Sequence, residues 1–327
     1  MKKKSFQILN LVCILAFTLT QNQAALANPV EGDFMTPWTT NYFGRFKIDL
    51  PSNSDILTDY KIFNEKIKFI SKNGKKDINY NIEKNIIDLK EDLVRGKSTV
   101  YEKTIPLSNG SALVLSKRQE YYTLNVYLLT AKNTLYNMTA TAISAENLES
   151  AIEKIRKLSD AIFFRRPQDA PAPGAFALEA GYTTLPNTYA KETIYMGAQI
   201  AGHPGTYVSL LTQRIVKKED GLIQRFENPQ NSALSKELKA LASITKTLRK
   251  KERMIGNIKA EEVAVKALTD GKTFYNFQVE YQGTLKSNTE PHIALELGTH
   301  EKGSGFKSDD EALAFWDKVV DSLKPLP

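Results

Sequence analysis

Apolar residues alternate with polar ones at Phe46, Ile48 and Leu50, and Pro51 closes the run, so a short strand is predicted there. A second alternating stretch covers residues 62–70. Ile86, Leu89 and Leu93 then recur at helical spacing. Strand-like runs follow at 112–115, 124–129 and 135–142. Leu148, Ala151, Ile152, Ile155, Leu158 and Ile162 share one face of a helix that closes this half of the chain.

The second half repeats the order. Strand-like runs at 193–200 and 207–215 precede a predicted helix over 232–253 bearing Leu234, Leu238, Leu241 and Leu248. Runs at 262–268, 274–281 and 293–297 lead to a last helix with Leu313, Trp316, Val319, Val320 and Leu323 on its inner face. Ser308 and Glu311 stand at capping-box spacing at its start. The two closing helices end alike, in Ser159-Asp160-Ala161-Ile162 and Val320-Asp321-Ser322-Leu323. Between the halves, residues 167–174 carry Pro167, Pro171, Pro173 and Gly174, a stretch unsuited to helix or central strand and read as a semi-rigid linker. The expected fold is α+β, in two tandem domains of similar plan at 28–166 and 175–327. Each is a mainly antiparallel sheet packed with helices.

The first residues change that picture. Lys2, Lys3 and Lys4 precede an apolar run at 11–19, and Ala25-Leu26-Ala27 offers small residues for a signal peptidase, so cleavage is expected after Ala27. The run falls short of the ~20 apolar residues that span a bilayer, and no later stretch is long enough, so stable membrane insertion is not expected. The single cysteine, Cys13, follows Val12 inside the apolar run rather than a small residue at its end. It reads as part of the leader, which leaves no thiol for a disulfide, a nucleophile or a metal. Loss of the three leader lysines takes the net charge from +7 to +4. That mild balance, with no dense basic block, argues against a nucleic-acid partner.

Candidate chemistry is sparse. The only histidines are His203, His292 and His300, far apart and without metal-ligand spacing. No Gly-x-Ser-x-Gly elbow presents a nucleophile, and Gly303-Ser304-Gly305-Phe306 lies in a polar loop before a helix. Asp309-Asp310-Glu311 sit in a helical first turn, where acids favour the dipole, and lack the alternation of a calcium loop. Paired carboxylates stay open among 37 acids, but no spacing specifies them. Lys236, Lys239, Lys246, Arg249, Lys250 and Lys251 on the helix at 232–253, broken by Glu237 and Glu252, read as a solvated face. The expectation is a binding protein without cofactor or metal, not an enzyme.

Several motifs carry a resemblance. Gly44-Arg45-Phe46-Lys47-Ile48-Asp49-Leu50-Pro51, Pro291-His292-Ile293-Ala294-Leu295-Glu296-Leu297, and Ser308-Asp309-Asp310-Glu311-Ala312-Leu313-Ala314-Phe315-Trp316-Asp317 with the closing Asp321-Ser322-Leu323 resemble one family. This is the family of periplasmic immunity proteins that neutralise type VI secretion phospholipase effectors of the fourth lipase class. Members often carry a Cys before the Gly-Arg-Phe element, where Phe43 stands here. The resemblance implies a two-lobed claw that holds a cognate phospholipase in the periplasm and covers its active-site mouth. Phe46, Ile48, Trp316 and Val319 read as packing residues. Expected partner contacts are Lys217, Lys218, Glu219 and Asp220 in one hairpin turn, with His203 and Phe306 in others. The alternative is a periplasmic binding or chaperone-like module with another protein or lipid client.

Overall fold

The computed structural model describes residues 37–96, 99–187, 189–228 and 245–327. The expected leader and the Leu234, Leu238 and Leu241 stripe, with Lys236 and Lys239, lie outside the described residues. A hairpin of β1 (Trp38–Phe43) and β2 (Phe46–Pro51) comes first. It is followed by β3 (Asp55–Ile62), β4 (Glu65–Ser71), α1 (Gly74–Val94), β5 (Thr99–Pro106), β6 (Ala112–Arg118), β7 (Tyr121–Leu129), β8 (Leu135–Ile143) and α2 (Leu148–Asp160). Three short strands come next, β9 (Ile162–Phe164), β10 (Phe176–Leu178) and β11 (Gly181–Thr183). The remainder is β12 (Glu192–Gln199), β13 (Thr206–Gln213), α3 (Leu222–Glu227), β14 (Thr245–Ile255), β15 (Ile258–Thr269), β16 (Lys272–Tyr281), β17 (His292–Thr299), α4 (Asp309–Ser322) and β18 (Lys324–Pro325).

Twelve strands form one sheet in the order β14-β15-β16-β17-β13-β12-β3-β4-β8-β7-β6-β5. Its neighbours pair antiparallel, and β3 and β12 join at its centre from Ile62↔Glu192 to Asp55↔Gln199. Outward from that seam the order is the same on both sides. β3 and β4 match β12 and β13, and the meander β5 to β8 matches β14 to β17, returning in reverse order. α2 follows one meander and α4 the other. The fold is α+β and mainly antiparallel, and the backbone ladder is continuous across both halves of the sequence.

Register and burial separate the two faces. One buries Tyr60, Ile62, Leu113, Val126, Ile194, Met196, Leu210, Leu295 and Phe277 against α2, α4 and two small sheets. Trp316, Phe46, Ile48 and Val319, expected as packing residues, are all buried there. The other face carries α1, whose Ile78, Ile82, Ile86 and Leu89 cover Val114, Tyr127, Leu129 and Leu135. Neighbouring strand residues divide between these two sets, as period-2 alternation requires.

Residues 245–253 are strand, not the helix predicted over 232–253. Leu248 lies on β14, the outermost strand of the sheet, as do Lys246, Arg249, Lys250 and Lys251. Arg249 faces Ala264 and Arg253 faces Ala260 in register, so both arms reach the α4 side through period-2 geometry. An edge strand covered by charges shows no apolar alternation, which is why the helical stripe seemed to continue through it.

The proline-rich segment at 167–174 is tied down. Buried Arg165 donates to the carbonyls of Arg166, Pro167, Asp169, Leu178 and Gly181, at 2.5–3.3 Å. Gly174 N donates to the Pro327 carbonyl at 2.7 Å. Both ends of the described chain also meet, since β18 pairs β2 through Pro325↔Phe46 and Lys324↔Lys47.

Candidate partner-binding surface

The motif residues prove to be architecture. Gly44 has φ +58, and a Cβ there would lie 2.5 Å from Ile194 Cγ2, so only glycine fits beside its bridge to Ala177. Arg45 donates through Nε and Nη2 to both oxygens of Glu192, at 2.6 and 2.8 Å, and through Nη1 to the Gly174 carbonyl at 2.5 Å. Its side chain and that of Glu192 are 7% and 4% exposed. Burial pushes the Glu192 carboxyl up, opposed by the hydrogen bonds and charge of Arg45. The pair fastens the N-terminal hairpin to β12 and to the end of the proline-rich segment.

The closing helix is equally committed. Ser308 Oγ accepts from Glu311 N at 3.1 Å, and Glu311 Oε2 accepts from Lys307 N at 2.5 Å. Asp309 accepts from Lys266 Nζ at 2.5 Å and Tyr275 OH at 2.8 Å. The hydrogen bond from Lys266 holds the Asp309 carboxyl below its ordinary range. Trp316 Nε1 donates to fully buried Glu262 at 2.8 Å. Arg249 bonds both Glu262 and Asp317, and Arg253 bonds Asp317 and Asp321. Burial raises the Asp317 carboxyl, but the two arginines outweigh it and hold it below its usual value. Among the described residues, no group of three His, Cys, Asp or Glu side chains is placed to hold a metal.

The expected contact residues divide. Lys217, Lys218, Glu219 and Asp220 are exposed, but they occupy a loop running from β13 into α3 rather than a hairpin turn. Gln282 Nε2 and an arm of Arg225 both donate to the Asp220 carbonyl. His203 sits in the turn between β12 and β13, half-buried, its ring 4.3 Å from Phe306 and 5.0 Å from Phe315. Burial pushes its imidazole down. Phe306 is itself buried at 7% exposure and is a packing residue, not a surface contact. The lysine loop and His203 lie at opposite ends of the eight-residue strand β13, about 26 Å apart at ~3.3 Å per residue. They form no single site.

A different surface emerges from the register. On the α1 side of the sheet, α3 sits at the far end, its Ile223 N donating to Glu261 at 2.9 Å and Arg225 bridging to Glu280 at 2.6 Å. Between α1 and α3 the strands β3, β12, β13 and β17 stay uncovered by helix. One row across them reads Leu57, Gly197, Ser209 and Glu296, and the next reads Asp59, Tyr195, Leu211 and Ala294. Tyr207 OH and Asn276 Nδ2 both donate to Glu296 Oε1, at 3.2 and 2.9 Å. A Cβ at Gly298 would strike the Tyr207 hydroxyl at 2.2 Å, so glycine there lets the ring lie across β17. This floor and the Arg45–Glu192 pair were not found from sequence. Alternating tyrosines and small residues in β12, β13 and β17 were the available signal.

Residues 170–327 match the sequence model of a family described as Tle cognate immunity protein 4 C-terminal domain. No curated protein matches the chain. The apo structure of the immunity protein TplEi of T6SS from Pseudomonas aeruginosa is similar at a TM-score of 0.79 and 24% identity, over 89% of this chain and 97% of that one. The Tle4–Tli4 complex structure gives 0.77 and 24% identity over 89% and 98%. TplEi of T6SS from Pseudomonas aeruginosa complexed with an "L" peptide gives 0.74 and 24% over 89% and 98%. At that identity the structures speak for a shared fold. Among the described residues, no helix is long and apolar enough to cross a membrane.

Proposed function

From residues 170–327, which belong to the Tle cognate immunity protein 4 C-terminal domain family, we propose that the chain is an immunity protein that binds a type VI secretion phospholipase effector and covers its active site. The family match carries the reading, and the fold shared with an immunity protein and with a Tle4–Tli4 complex supports it. Inhibition is steric. The chain's buried acids and arginines are consumed in holding its own elements together, so it acts by occupying the mouth of the effector rather than by altering it. Export through the leader ending at Ala27 places it in the periplasm, where such an effector arrives. Two lobes, 28–166 and 175–327, flank the tied segment at 167–174, and the repeated strand order supports that division. The exposed Lys217–Asp220 loop and the half-exposed His203 edge are candidate contacts.

The test uses the chain from Asn28 onward with the lipase encoded beside it. Co-purification as a stable complex with loss of phospholipase turnover is the expected result. A lipase that neither binds nor slows would sink the assignment.

A further inference from the structure

We propose that the uncovered floor between α1 and α3 is where the effector seats, with one of its basic side chains meeting Glu296. This rests on the immunity reading above and says which surface carries it. Residue type is the first argument. The floor sets Tyr195 and Tyr207 among Gly197, Ser209 and Ala294, with Asn276 and Gln278 at its side. Rigid aromatic rings interleaved with small and amide side chains are the composition of protein-recognising surfaces, because they give contact area at low entropic cost.

The second argument is construction. Tyr207 lies over Gly298, which alone leaves it room, and meets Asn276 on one oxygen of Glu296. The carboxylate is thereby fixed in position on a face where its row neighbours Gly197 and Ser209 are uncharged. A fixed anion flanked by small side chains is complementary to a lysine or arginine standing among apolar groups. At Gly197, a Cβ would meet nothing closer than 4.0 Å, so the sheet is dished beside Ser209.

Size is the third. Six strands from β4 to β16 span about 24 Å at ~4.8 Å spacing, and eight residues run about 26 Å, giving a floor of roughly 600 Å². A stable interface takes about 800 Å² per partner. The exposed Leu57 on the floor, the exposed Tyr80 and Ile87 on α1, and the Lys217–Asp220 loop leading into α3 supply the difference.

The experiment measures affinity of the exported-form chain for the neighbouring lipase in four variants. Ser209→Arg and Leu57→Arg change half-buried and exposed floor positions, and Leu57→Arg should melt like the parent. Each is expected to weaken capture on the order of 100-fold. Glu296→Gln should weaken it about 10-fold and flatten its salt dependence. Glu149→Lys, on α2 beyond the other face of the sheet, should leave it unchanged. If the parent captures the lipase and Leu57→Arg captures it equally well, this surface is wrong while the immunity reading stands. If the parent chain captures no lipase, both fall.

Discussion

Arg45 shows how much of this protein depends on single buried charges. Its guanidinium spends two hydrogen bonds on Glu192 and a third on Gly174, all within the interior. Arg45→Met strands a buried carboxylate and should lower stability by about 3–5 kcal/mol in urea titration. Arg45→Met combined with Glu192→Leu removes the stranded charge, and should recover most of that loss. A double variant as weak as the single one would show that packing, not charge, sets the cost. The motif around Arg45 was legible as a strand entry, and Phe46 and Ile48 as core, because alternation is local. Glu192, 147 residues away, was not, since nothing in a strand's own pattern names a distant partner. Glu262 beneath Trp316 escaped for the same reason.

At the level of elements, local signals were read well and edge elements badly. The capping box at Ser308 exists as spaced, with Ser308 Oγ on Glu311 N. Ser308→Ala should cost about 1 kcal/mol, read as a lowered urea midpoint with an unchanged slope. An unaltered midpoint would mean the following acids hold the helix start without it. The meander strands were found because each buries one face at least. β14 was not, since its charged residues answer to α4 and β15 rather than to an apolar floor. Likewise the contact loop at Lys217 was placed between two strands, whereas β13 leads into α3 before β14 begins.

For the whole molecule, titration follows burial. His203, His292 and His300 all have imidazoles pushed down by burial. The unfolded chain then takes up protons first, so their contribution is complete above about pH 6.5 and is lost as pH falls through their lowered values. Asp309 and Asp317 add a second loss, beginning below about pH 4. The urea midpoint should therefore be lower at pH 5.5 than at pH 7.5. His203→Gln with His300→Gln should narrow that gap, and an equal gap would assign it elsewhere.

Sequence reading also missed the molecule's continuity. Two separate sheets were expected, and the ladder instead runs through β3 and β12 without a break. Strand pairing between distant segments leaves no trace in either one's pattern. Residues 170–327 alone would lack β3 beside β12 and β2 beside β18, and are expected to show no cooperative melting. A sharp transition would show that half to be self-sufficient.

The pairing of β2 with β18 has a consequence in time. Ribosomes and translocons both deliver a polypeptide from its N-terminus, so the first hairpin emerges about 270 residues before the strand that completes its sheet. Phe46, Ile48 and Leu50 must wait exposed until α4 arrives to cover them. A nascent copy is therefore a client for holdases, and protection begins only with the last few residues. A cell relying on this protein needs a standing stock of finished copies, because one begun after an attack comes too late.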